Sequence, residues 1–197
     1  MNKADRTRRF IIERTAAIFN TKGYAGTTVS DLTNATGLTK GSIYGNFANK
    51  DEVALAVFEY NSKALGKRFD AALADKKTPT ERLFGAVEYY QQNWAFEFSN
   101  GGCPILNASV EADDNLPFMK KKVQQSLEIW ARKLELVITS GQHTGEFKSE
   151  INSAAYAFTM ITLIEGGIML GKITNDENHL FTALNRIIKI INEEIIR

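Results

Sequence analysis

The 197-residue chain has one cysteine, Cys103, two histidines, His143 and His179, and three prolines, Pro79, Pro104 and Pro117. A single cysteine excludes an intramolecular disulfide framework, and two isolated histidines leave little material for a zinc site. With so few prolines and little period-two alternation of Val and Ile, the marks of a sheet protein are missing. Long uninterrupted apolar runs are missing too. The most apolar stretch, residues 154–170, contains Thr159, Thr162, Glu165 and the pair Gly166-Gly167, and so reads as a buried helix rather than a membrane span. Residues 1–9 are rich in charge and lack the apolar region of a signal peptide, so the expected location is the cytoplasm and no membrane partner is expected. No convergent catalytic set can be assembled either. The best available are Cys103 with a distant His143, or the pair Asp176-x-x-His179, which is too little for an enzyme, and no metal or cofactor is expected.

What the sequence does contain is helical periodicity. A 44% hydrophobic content supports a real core, and apolar residues recur at three- and four-residue spacing from end to end. Ile12, Ala16 and Phe19 share a face of a first helix that stops at Gly23. Thr28-x-x-Asp31 caps a short helix ended by Gly37, and Thr39 caps another in which Ile43 and Phe47 lie one turn apart. Asn49-x-x-Glu52 opens a long connector helix, and Thr78-Pro79-x-Glu81 opens one that runs to about Ser99. Three further stripes follow. They are Val123, Leu127, Trp130, Leu134 and Val137; then Phe158, Ile161, Glu165 and Met169; then Leu180, Leu184, Ile187, Ile191 and Ile195. The expected fold is all-α with about nine helices: a three-helix helix-turn-helix domain over 1–49 and a larger helical domain over 50–197.

Charge is divided between these parts. Net charge is only +1, but in residues 1–50 eight Lys and Arg oppose three acids, leaving +5, while sixteen against twenty leave the remainder at −4. A basic head on an acidic body places any polyanion-binding surface in the first quarter of the chain. There the second of two short helices, joined at Gly37-Leu38, has the shape to enter a major groove. Its outer residues Thr39, Lys40, Gly41, Ser42, Tyr44 and Asn46 are small, polar or hydrogen-bonding, while Ile43 and Phe47 turn inward. The segment Lys3 to Arg9 is expected to be either an arm reaching the duplex or a solvated tail.

The run from Gly23-Tyr24 through Thr27-Thr28-Val29, Asp31-Leu32, Thr36-Gly37-Leu38-Thr39-Lys40-Gly41-Ser42-Ile43-Tyr44, Asn46-Phe47 and Lys50 resembles the DNA-binding domain of the TetR family of transcriptional regulators. It covers about a quarter of the chain without a gap. The resemblance implies that Thr28, Thr39, Tyr44 and Lys50 mainly hold phosphates of double-stranded operator DNA, and that Lys40, Gly41, Ser42 and Asn46 face bases or nearby backbone. Asn46 stands where many members have histidine. The resemblance further implies a homodimer paired through the two C-terminal helices, with a small-molecule effector bound in the larger domain. Candidate effector residues are Tyr90, Trp94, Phe98, Cys103, Asn107, Glu111, Trp130 and Glu165. Cys103, at the start of a helix, is a candidate electrophile or oxidant sensor, or simply a small apolar residue. The reading is a repressor released from a palindromic operator by a small-molecule or electrophilic effector. The alternative is a helical small-molecule-binding or adaptor protein without specific DNA binding.

Overall fold

Several helix starts are fixed by capping side chains. Thr28 and Asp31 close a reciprocal box: the Asp31 amide donates to the Thr28 hydroxyl at 3.1 Å and the Thr28 amide to the Asp31 carboxylate at 2.8 Å. Thr78 and Glu81 do the same ahead of Pro79, and the Glu52 amide donates to Asn49 Oδ1. A further box, Asn2 with Asp5, starts a helix at Lys3. The basic segment Lys3 to Arg9 is therefore the first turns of a capped helix, not a loose arm or tail.

The computed structural model describes residues 2–113 and 115–197. Among them run nine α-helices: α1 Lys3–Gly26, α2 Val29–Thr36, α3 Lys40–Tyr44, α4 Lys50–Leu73, α5 Pro79–Ser99, α6 Pro104–Ala112, α7 Pro117–Thr144, α8 Ser153–Thr174 and α9 Asn178–Ile190. A π-helical turn, Ile191–Ile195, continues α9. Strands are absent among the described residues, where one isolated bridge joins Phe147 and Ile196. The chain divides into two compact units, one of Met1–Leu65 with Asn100–Gln125 and the other of Gly66–Ser99 with Ser126–Arg197.

In the first unit α1 packs on α2 and α6, and α2 on α3, around buried Ile11, Phe19, Leu32, Ile43, Phe47 and Val53. Helix α1 breaks at Gly23, whose φ of 72° and ψ of 177° suit only glycine. The kink leaves backbone amides open, and Glu111 of α6 fills the need: its carboxylate accepts from the amides of Tyr24 at 2.8 Å and Ala25 at 3.0 Å.

In the second unit α8 packs along α9, and α5 on both. Gly167 permits the close approach, since a Cβ there would lie 2.9 Å from Leu180 Cα. Gly166 faces open space, so of the glycine pair only the second makes this contact. The approach rotates α8 so that Ala157, Met160, Ile161, Ile164 and Ile168 turn inward. The expected α8 stripe splits accordingly: Ile161 and Glu165 are buried, while Phe158 and Met169 are exposed. By length and composition α8 is apolar enough to cross a membrane, yet this inner face is packed within the unit. The α9 stripe holds intact, with Leu180, Leu184, Ile187, Ile191 and Ile195 all fully buried.

Candidate nucleic-acid interface

Helix α2 ends on Gly37 in the left-handed region, with its amide donating to Thr33 O at 2.8 Å, and the chain turns through Leu38 to Thr39. The Thr39 hydroxyl accepts from the Ser42 amide at 3.1 Å and starts α3. Five residues cannot hold a helix by themselves, so α3 depends on Ile43, fully buried, and on Phe47 just beyond it. Those anchors leave Thr39, Lys40 and Gly41 exposed, with Ser42, Tyr44 and Asn46 half-buried beside them and Thr28 exposed at the start of α2. The eight residues expected to meet DNA thus fall on α3 and its N-cap, on the turn after it at Asn46, and on the flanking starts of α2 and α4.

Four of the eight are partly engaged within the protein: Thr28 and Thr39 through their cap hydrogen bonds, and Asn46 and Lys50 through the contacts that follow. Asn46 donates its side-chain amide to Ser42 O at 2.9 Å, closing the end of α3 and leaving Oδ1 as its outward-capable group. Lys50 carries its ammonium 4.2 Å from the centroid of the Tyr24 ring. Tyr24 in turn donates its hydroxyl to Asp51, which, together with burial, pushes its pKa up to about 12. Lys22 pairs with Asp31 at 2.7 Å, and this pair, with the Thr28 bonds, holds the Asp31 carboxyl at about 2.

Sequence reasoning did not find Arg8. Its guanidinium lies 4.0 Å from the Phe47 ring centroid and donates to Asn46 O and to Glu52 Oε1, each at 2.7 Å. A signal was available: Arg8, Ile11, Thr15 and Phe19 sit at successive helical spacings, which puts the arginine on the inward face of α1.

The candidate effector residues separate between the two units. Cys103, Asn107 and Glu111 belong to the first, where Cys103 is buried at the start of α6 and Asn107 donates to Asn20 O and Gly101 O. Asn107 and Glu111 border a small hollow of about 40 Å³ beside Phe19, Tyr24 and Phe58. In the second unit Tyr90 and Trp130 stand 6.4 Å apart in a cluster with Phe69 and Tyr89, and Trp94 meets Phe98 and Phe181. Glu165 is buried on α8. A larger cleft of about 340 Å³, bordered by Phe69, Leu73, Arg82, Lys133 and Leu136, opens in the same unit but includes none of the expected residues. The sequence also gave no hint of the buried Glu97 carboxylate, which accepts from Tyr89 Oη at 2.8 Å and from Arg68 at 3.1 Å.

A short capped helix presented by a basic three-helix head is the geometry of a groove reader, and comparison with known proteins agrees. A family model described as bacterial regulatory proteins, tetR family, matches residues 11–57, and one described as tetracyclin repressor-like, C-terminal domain, matches residues 79–187. The chain belongs to the TetR family. It is a DNA-binding transcriptional regulator with that family's all-helical fold. A TetR-family transcriptional regulator from Cytophaga hutchinsonii is 38% identical and superposes with a TM-score of 0.95 over 100% of this chain and 98% of the other. The HTH-type transcriptional repressor DhaR of Mycobacterium sp. is 25% identical over 88% of this chain and 86% of its own length. The repressor KstR2 of Mycobacterium tuberculosis is 32% identical over 72% and 70%. Membership of the TetR family implies operator-DNA binding, dimerisation and a ligand-binding domain.

Proposed function

We propose that this TetR-family regulator is a cytoplasmic repressor that occupies a palindromic operator as a homodimer and is released by a small molecule. Residues 1–49 read the DNA, and residues 50–197 bind the effector and pair the subunits. The observation that carries the DNA assignment is α3, a capped helix that exposes Thr39, Lys40 and Gly41 in a segment, residues 1–50, of net charge +5. In this reading Lys40, Gly41, Ser42 and Asn46 meet base edges or adjacent backbone, and Thr28, Thr39, Tyr44 and Lys50 hold phosphates. Repression is supported by DhaR and KstR2, both described as repressors.

The effector is an apolar or aromatic molecule held among Tyr90, Trp94, Phe98 and Trp130, with Glu165 as the acid of the set. Burial of Cys103 favours this over an electrophile, because a reactive thiol needs access. Asn107 and Glu111 already hold backbone groups of the head, which argues for leaving them out of the effector set. Effector binding favours a different tilt of α4, which starts at Lys50 and runs to Leu73, and so changes the spacing of the two recognition helices.

The test is fluorescence anisotropy of the purified protein on duplex from its own upstream region, at two salt concentrations, with Tyr44→Ala as control. Saturable, salt-sensitive binding to a palindromic segment, lost in the variant, is expected. Equal affinity for random duplex would move the protein to the adaptor reading.

A further inference from the structure

Arg8 belongs to the basic segment that its sequence position would send to the phosphate backbone, yet its contacts go elsewhere. Nη1 donates to the carbonyl of Asn46 and Nη2 to Glu52 Oε1, each at 2.7 Å. The guanidinium plane covers the buried Phe47 ring at 4.0 Å. Glu52 uses its second oxygen to accept from the Ala48 amide at 2.7 Å. Asn46 completes the chain of contacts by donating its side-chain amide to Ser42 O, inside α3. Every contact of Arg8 therefore ends on the segment 46–52 that fastens the C-terminal end of α3 to the start of α4.

We propose that Arg8 is a positioning residue that sets the angle at which Lys40–Tyr44 meets the groove, and so determines sequence discrimination without touching DNA. The proposal rests on the DNA-reading role given to α3 above. Helix α3 has a single turn of its own hydrogen bonds and is capped at its N-terminal end by Thr39, so beyond the buried Ile43 anchor its other end is held by what grips residues 46–48. Arginine suits that task because a planar fork can donate in two directions while stacking on a ring; a lysine ammonium is a point charge that can do one or the other. Base-edge hydrogen bonds are short and directional, and so fail when the helix is misaimed. Attraction to phosphates survives small misalignment. Loss of the brace thus selectively removes discrimination.

Duplexes enriched by the wild-type protein from a random-sequence pool serve as the probe, and a scrambled duplex serves as the reference. For Arg8→Ala and Arg8→Lys, Kd on the enriched duplex rises at least about tenfold, the loss expected when one directional base contact fails. Kd on the scrambled duplex changes less than about twofold, the slope of log K against log salt is unchanged, and amide exchange over residues 41–48 accelerates. If both duplexes weaken equally and the slope drops by about 0.9, Arg8 is a phosphate contact and the proposal is overturned. Wild-type discrimination with wild-type exchange would overturn it too, by showing the brace idle. Should Arg8→Ala lose helicity, Arg8→Lys, which keeps the charge and the stem over Phe47, carries the comparison. Failure of the wild-type chain to enrich any sequence would sink the DNA-reading role itself, an outcome distinct from variants that discriminate as the wild type does.

Discussion

Two titrating side chains tie the head's stability to pH from opposite directions. Asp31 falls from an ordinary 3.8 to about 2, first through Lys22 and then through Thr28. The folded head binds that proton more weakly than the unfolded chain, so the contribution is complete above about pH 4 and is lost as pH falls toward 2. Tyr24 rises from 10.0 to about 12, first through its hydrogen bond to Asp51 and then through burial. Here the folded head holds the proton more tightly, so the contribution is complete below about pH 10 and is lost as pH climbs toward 12. Thermal melts across pH are expected to show both losses, with the alkaline one reduced in Tyr24→Phe; a variant that keeps the full alkaline loss would assign it to another tyrosine. Replacing the cap, Thr28→Ala, is expected to cost about 1 kcal/mol. Of the head's residues, the caps were legible in the sequence because a cap is a local pattern of four residues. The partners of Tyr24 and Arg8 were not, because Asp51, Glu52 and Glu111 reach them across 27 to 87 positions of chain.

Among the elements, α8 and α9 depend on a glycine. With Leu180 Cα 2.9 Å from a would-be Cβ at position 167, the obstacle is backbone and cannot swing aside. Gly167→Ala is therefore expected to cost about 1 to 3 kcal/mol, whereas Gly166→Ala, mid-helix and facing open space, is expected to stabilise by about 0.5–1 kcal/mol, in paired denaturant titrations. Equal effects would refute the packing assignment. Within the second unit α4 meets α5 through Phe69 against Tyr89 and Tyr90 and through one buried charge. Glu97 is only 3% exposed, and Arg68→Ala would leave its carboxylate with Tyr89 alone. Because Arg68 itself is partly exposed, the expected loss is about 2 kcal/mol, below that of a fully buried pair. Helix positions followed from periodicity, but the rotation of α8 did not. It carries apolar residues nearly all round, so no sequence stripe marks its inner face, and the small residue that sets the contact is visible only once α9 is beside it.

At the scale of the whole molecule, the two C-terminal helices differ in what they leave for a second copy. The apolar stripe of α9 is wholly consumed within the chain, and its outward positions Asn178, His179, Thr182, Asn185 and Lys189 are polar. Bare apolar surface remains on α8, where Phe158 is 51% exposed, Met169 52%, Leu170 45% and Ile173 77%. The dimer proposed for this regulator therefore draws its apolar contact from α8, with the polar side of α9 at its margin. Charges at both ends of that stripe, Phe158→Glu with Ile173→Glu, remove no internal contact of the buried face and should leave the helical circular dichroism unchanged. Sedimentation is expected to shift from dimer to monomer. The effect on DNA follows from the small interface of a single three-helix head, which gives little beyond non-specific affinity by itself. Separating the two heads should thus weaken operator binding by roughly a thousandfold, while binding to random duplex stays near its wild-type value. A double variant that remains dimeric would place the pairing face off α8. One that becomes monomeric yet keeps full operator affinity would show that a single head suffices, and the palindromic operator would lose its physical basis.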